Sequence, residues 1–88
     1  MAEIEIGIHG DTAAALGQAG RRLASAIDAL RGADAPNARA SLLHAAANAL
    51  WSFIVQREAV GVTDHAEVAR TYGVTPELWR RMGAWDAE

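Results

Sequence analysis

Three leucines seven residues apart, Leu16, Leu23 and Leu30, constrain this chain more than any other feature. With Ile27 beside them and Ala19, Gly20 and Ala24 on the same side, they make an apolar stripe of helical period. Gln18, Arg21, Arg22, Ser25 and Asp28 fall on the opposite face. The segment from Asp11, a candidate N-cap, to Gly32, a candidate stop, therefore reads as an amphipathic helix. Gly17 and Gly20 each cost about 1 kcal/mol of helix propensity relative to alanine. Small residues between the leucines let another helix come close, so Leu16, Gly20, Leu23, Ile27 and Leu30 are the candidate seam for a neighbouring helix or a second subunit.

The stretch "ADAPNA" then forces a turn. Asp34 is a candidate cap, and Pro36 fits a first helical turn while preventing a continuous helix from Leu30. A second helix is expected from about Pro36 to Ala59, stopped by Gly61. Asn37, Ser41, His44, Asn48 and Ser52 line up as a narrow polar stripe, opposite Leu42, Leu43, Ala46, Leu50, Phe53 and Ile54. At "LWSFIV", Trp51 and Val55 fall outside the apolar arc. The helix is then apolar nearly all round, and something is expected to cover it.

Residues 62–85 supply the expected cover through Val62, Val68, Tyr72, Val74, Leu78, Trp79, Met82 and Trp85. Thr63 or Asp64 can cap a short third helix with Glu67 in its first turn, as in a capping box. Gly73 can end it in a left-handed conformation, and Thr75, Pro76 and Glu77 open a fourth helix in the favoured order of cap, proline and acid. Gly83 is the candidate stop. At the other end "EIEIGI" alternates like a strand but has no pairing partner within the chain. The expectation for residues 1–10 is a helix entry, irregular around Gly7 and Gly10, with a strand paired to a second subunit as the alternative.

Residues 65–83 also carry the spacing of a helix-turn-helix, whose second helix would enter the major groove. Thr75, Arg80 and Arg81 are the candidate DNA contacts, because arginine reads guanine and threonine can meet a phosphate or a thymine methyl. Charge argues against this: residues 61–88 hold three arginines against five acidic groups, whereas DNA affinity comes mainly from neutralised phosphates. A helix, glycine turn, Thr-Pro cap and helix is equally a generic way to close two short helices over an apolar surface.

Other polar residues read as structural. Arg57 projects from the sector of Leu50 and Phe53, so it is expected to snorkel at the helix end or to pair with Glu58, Asp64 or Glu67. With His65 these form a candidate structural polar cluster: Arg57, Glu58, Asp64, His65 and Glu67. No set of metal ligands and no cofactor motif is expected. There is no cysteine, no GxSxG, no phosphate-binding glycine loop and no paired buried carboxylates, so the chain is expected not to be an enzyme.

Size and charge complete the frame. Eighty-eight residues make one domain that buries only about 60–65% of its unfolded surface. The absence of cysteine excludes disulfide staples and points to a cytoplasmic setting. The first residues lack the basic and apolar regions of a signal peptide. "LLHAAANALWSFIV" is too short and too interrupted to cross a bilayer, so no membrane is expected. A net charge of −3 without charged blocks gives no field directed at nucleic acid, and the eight basic residues, all arginine, fit a compositional bias toward Ala and Arg.

From "GQAGRRL" and "ALWSFIVQREAVGVTDHAEVARTYGVTPELWRRMG", the chain resembles a family of small bacterial helical proteins, one of the domains of unknown function. The "W-x-F-x-V-Q-R-E" core followed by "G-x-x-D-H" and "Y-G-x-x-P" carries the resemblance over residues 15–83. It implies a cytoplasmic bacterial protein, mostly helical, and brings no activity and no site residues. "EIEIGIHG" departs from the smoother helical start of that family.

These readings converge on an all-α single domain, residues 1–88. An antiparallel hairpin of two long helices, residues 11–59, is capped by two short C-terminal helices, residues 62–85. Its thin core predicts a homodimer forming a bundle of about four long helices. The functional expectation is a non-enzymatic interaction protein, with a DNA-binding regulator using residues 65–83 as the alternative.

Overall fold

The computed structural model describes residues 2–86, with side chains for residues 13–82. Four helices follow in order: α1 (Ala2–Arg31), α2 (Pro36–Ala59), α3 (His65–Tyr72) and α4 (Pro76–Asp86). Among the described residues there is no strand. The N-terminal segment therefore differs from its expected form: α1 begins at Ala2 and passes through Gly7, Gly10 and Asp11, so Asp11 is no cap. Glycine costs helix propensity, but it keeps the backbone N–H that proline lacks, and the hydrogen-bond ladder continues.

The first turn falls where Pro36 places it. Gly32 N–H still reaches the Asp28 carbonyl, and α2 then starts with Pro36 in its first turn. Asp34 does not cap: the N-cap is Ala35, which has no side chain to offer. At the other end of α2, Gly61 takes φ +86°. Val62 N–H bonds the Arg57 carbonyl and Gly61 N–H bonds that of Glu58, which closes the helix in a Schellman motif.

Both short helices are capped as their sequences require. The Asp64 carboxylate accepts from Glu67 N–H at 3.2 Å, and the Thr75 hydroxyl accepts from Leu78 N–H at 3.2 Å. Gly73 ends α3 at φ +68°, with its N–H and that of Val74 both on the Ala69 carbonyl. Gly83, by contrast, lies inside α4 rather than at its end. Trp85 falls outside the described side chains.

The core forms where α1 and α2 run antiparallel, with α4 laid along α2 and α3 against α1. Leu23, Leu50, Val68 and Leu78, one from each helix, are its largest fully buried side chains, and among the described residues no polar or charged residue is buried. Full burial of each such side chain contributes about 1.5–3 kcal/mol. Leu23, Ile27 and Ala19 are all buried within one chain, so this part of the α1 seam leaves no surface for a second copy. Gly20 is spent in the same way, on Tyr72 and Phe53. Leu16 and Leu30 pack partly buried against the same core.

Candidate interaction surface

The two short helices pack on different arms of the hairpin, α3 on α1 and α4 on α2. Their buried anchors, Val68, Val74 and Leu78, all enter the hairpin core. The three candidate DNA contacts are all exposed at or on α4, two of them with partners of their own. Thr75 spends its hydroxyl on the α4 cap, Arg81 donates from Nη2 to His44 Nδ1 on α2 at 3.3 Å, and Arg80 is exposed. Glu77, where a recognition helix would approach phosphates, forms a two-pronged ion pair with Arg39 at 2.6 and 3.1 Å.

These contacts are joints between α4 and α2. The hydrogen bonds and charge of Arg39, aided by Arg80, hold the Glu77 carboxyl below the usual carboxylate range against a smaller desolvation penalty. The same bonds raise Arg39. The Arg81 to His44 bond needs the imidazole neutral, with its proton on Nε2, so that Nδ1 can accept. The sequence reading placed His44 on a solvated stripe and did not single out Arg39. Partners 37 and 38 residues away leave no periodic signal.

A second clasp joins α2 to α3. Arg57 donates from Nη2 to the Asp64 main-chain carbonyl at 3.2 Å, and its guanidinium carbon lies 5.5 Å from the Phe53 ring centroid. Of the two expectations for Arg57, snorkelling or a carboxylate partner, the carboxylate is replaced by a main-chain carbonyl and an aromatic ring, which attracts the guanidinium through its π-face. Glu58 pairs with His65 Nε2 at 3.1 Å, Asp64 caps α3, and Glu67 supplies the capped N–H. Among the described residues no three His, Cys, Asp or Glu side chains gather as metal ligands.

One surface is not used by these joints. Trp51 and Val55, expected to be covered, remain 41% exposed, with Val60 at 43% and Val62 at 37% beyond them. The C-terminal helices cover the Leu50, Phe53 and Ile54 side of α2 and leave the opposite face open. Its stretch from Ala40 to Gln56 holds no Asp, Glu, Lys or Arg, although 22% of the chain is charged. Charge depletion around an exposed aromatic marks the centre of protein interfaces more reliably than apolarity does.

Two clefts flank the helices. One lies between α1 and α2 beside the open face, lined by Arg22, Ala26, Ala45, Asn48, Ala49 and Ser52. The other, about 210 Å³, is rimmed by Arg31, Arg39, Thr75 and Glu77 over Ile27 and Leu78. It is smaller than the usual ligand pocket of about 300–1,000 Å³, and the Arg39–Glu77 pair occupies its rim.

Fold and surface together define a small all-helical domain: a long hairpin closed by two short helices, with polar side chains at the joints and one face of α2 open. The chain belongs to a family of unknown function, DUF6665, which it matches over residues 1–88. No curated protein and no solved structure matches it. Among the described residues no helix is long and apolar enough to cross a membrane.

Proposed function

We propose that this chain is a non-enzymatic helical interaction protein that works as a homodimer. The observation that carries the reading is the open face of α2, where Trp51 and Val55 stay 41% exposed in a stretch, Ala40 to Gln56, without Asp, Glu, Lys or Arg. The chain exposes 5821 Å², whereas a compact monomer of 9.3 kDa exposes about 5,000 Å². The difference goes with an elongated shape, 52 × 24 × 24 Å, which leaves the flanks of the hairpin open to a partner. Its radius of gyration, 14.7 Å, likewise exceeds the roughly 12 Å of a compact domain of this length.

The polar groups support the non-enzymatic part. His44, His65, Glu58, Glu77 and Thr75 each hold one element to another or cap a helix. The setting we propose is the bacterial cytoplasm, which the family resemblance implies and which suits a chain without cysteine. Sedimentation equilibrium over about 1 μM to 1 mM tests the dimer. A species of twice 9.3 kDa is expected, and a monomer throughout that range would overturn the reading.

A further inference from the structure

We propose that the cleft between the hairpin turn and the start of α4 binds a small free carboxylate with a short apolar chain. The chain would lie on Ile27, Leu30 and Leu78, and the carboxylate would meet the guanidinium of Arg31. At about 210 Å³ the cleft has the volume of about seven waters, which suits a ligand of about six to eight non-hydrogen atoms. Neither Trp51 nor Val55 lines it, so the site stands or falls separately from the homodimer.

Arg31 is the rim group that no joint uses. Arg39 and Glu77 hold each other at 2.6 and 3.1 Å, and the Thr75 hydroxyl accepts from Leu78 N–H. The Arg31 guanidinium makes no hydrogen bond with the described residues. Its salt-bridge partner, Asp28 Oδ1, stands 3.8 Å from Nη1, beyond hydrogen-bond reach. A Cβ on Gly73 would run into this guanidinium, so the bare glycine leaves Arg31 its place at the cleft wall. A guanidinium offers five N–H donors in a planar fork that matches a carboxylate.

The lining selects both the charge and the body of the ligand. Two guanidiniums, Arg31 and Arg39, stand against one carboxylate, Glu77. One added negative charge balances that rim, whereas a phosphate dianion would leave it net negative beside Glu77. Arg39 uses one hydrogen from each terminal nitrogen on Glu77 and keeps its other donors, and the Thr75 hydroxyl still has its proton to give. Ile27, Leu30 and Leu78 have no polar side-chain atoms. A bare ion would leave them wet, while each methylene laid on them removes apolar surface from water.

Amide NMR of the isotope-labelled full chain, titrated at constant ionic strength with acetate, butyrate and hexanoate, tests the site. Saturable shifts are expected at Gly73, Thr75 and Leu78. Hexanoate should bind in the millimolar range, and each added methylene should tighten binding about 2–4-fold. Hexylamine, which has the chain without the anion, should leave these amides unmoved. Arg31→Gln alters an exposed side chain and is expected to keep the fold while weakening hexanoate at least about 10-fold. Arg70→Gln, an exposed position outside the cleft, should bind as the wild-type chain does. Shifts that do not saturate by about 100 mM, hexanoate no tighter than acetate, or an Arg31→Gln variant that binds like wild type overturns the site. Inorganic phosphate binding as tightly as hexanoate overturns the choice of a carboxylate with an apolar chain.

Discussion

The hydroxyl of Tyr72 lies 2.7 Å from where a Cβ on residue 20 would stand. Gly20 is thus the point at which α3 closes on α1. The Tyr72 ring meets Phe53 edge to face at 5.3 Å, and Phe53 itself comes within 3.4 Å of the same position. Local propensity favours alanine at a helix interior by about 1 kcal/mol, so only this contact explains the stability that Gly20 protects. Gly20→Ala is expected to destabilise the chain by about 1–3 kcal/mol in urea unfolding, as overpacking does. In a Tyr72→Phe background, where the hydroxyl is gone, most of that loss should disappear. Equal losses in the two backgrounds would show that the hydroxyl is not the obstacle.

Gly73 and Gly61 both have positive φ, at +68° and +86°, but their surroundings differ. A Cβ on Gly61 meets nothing within 4 Å, whereas one on Gly73 runs into the Arg31 guanidinium. Gly61→Ala is therefore expected to cost only the left-handed backbone penalty, about 1–2 kcal/mol. Gly73→Ala should cost a similar amount, because the Arg31 guanidinium is the exposed end of a flexible side chain that can swing aside, and Arg31→Ala should change that cost little. Thermal unfolding of the variants decides it, and a clearly larger loss at Gly73 that Arg31→Ala relieves would show that the guanidinium is held in place.

The helical order was legible because its signals are local. Leu16, Leu23 and Leu30 repeat at helical spacing, Pro36 interrupts, and Gly73 followed by Thr75-Pro76 punctuates the last two helices. The helix-turn-helix spacing at residues 65–83 was legible too, but spacing alone cannot tell anchors that support a projecting helix from anchors sunk in a hairpin. Val68, Val74 and Leu78 fill the same positions in either case. The α1 seam was left open between a neighbouring helix and a second subunit for a related reason: periodicity shows that Leu23 and Ile27 are buried, not by what. Least legible were Arg39–Glu77 and His44–Arg81, whose partners lie on different helices and are set by how α4 crosses α2.

Arg57 tests whether the α2–α3 joint depends on charge or on packing. Its guanidinium both reaches the Asp64 carbonyl and stands over Phe53. Arg57→Met keeps an unbranched apolar stem and loses the donor. It is expected to lose about 0.5–3 kcal/mol of stability, the range for a neutral or charged hydrogen bond. Amide exchange should rise in α3 more than in the α1–α2 core, because the lost bond anchors the start of α3. Uniform acceleration across all helices would count against a local clasp.

Acid sensitivity follows from Glu77. Its carboxyl is held below the usual range chiefly by hydrogen bonds from Arg39, then by the charges of Arg39 and Arg80. The unfolded chain therefore binds a proton at higher pH than the folded chain. The pair's stabilisation is fully present above the ordinary glutamate value of about 4.3 and is lost as pH falls through the lower folded value. Because the pair is exposed, added salt should shrink the effect. Urea midpoints measured between pH 6 and about pH 3 should fall less steeply for Glu77→Gln than for the wild-type chain. Arg39→Gln should flatten the slope in the same direction, because it removes the largest cause of the shift while Glu77 still titrates beside Arg80. Parallel profiles for wild type and Glu77→Gln would mean that the bond between α2 and α4 does not persist in solution.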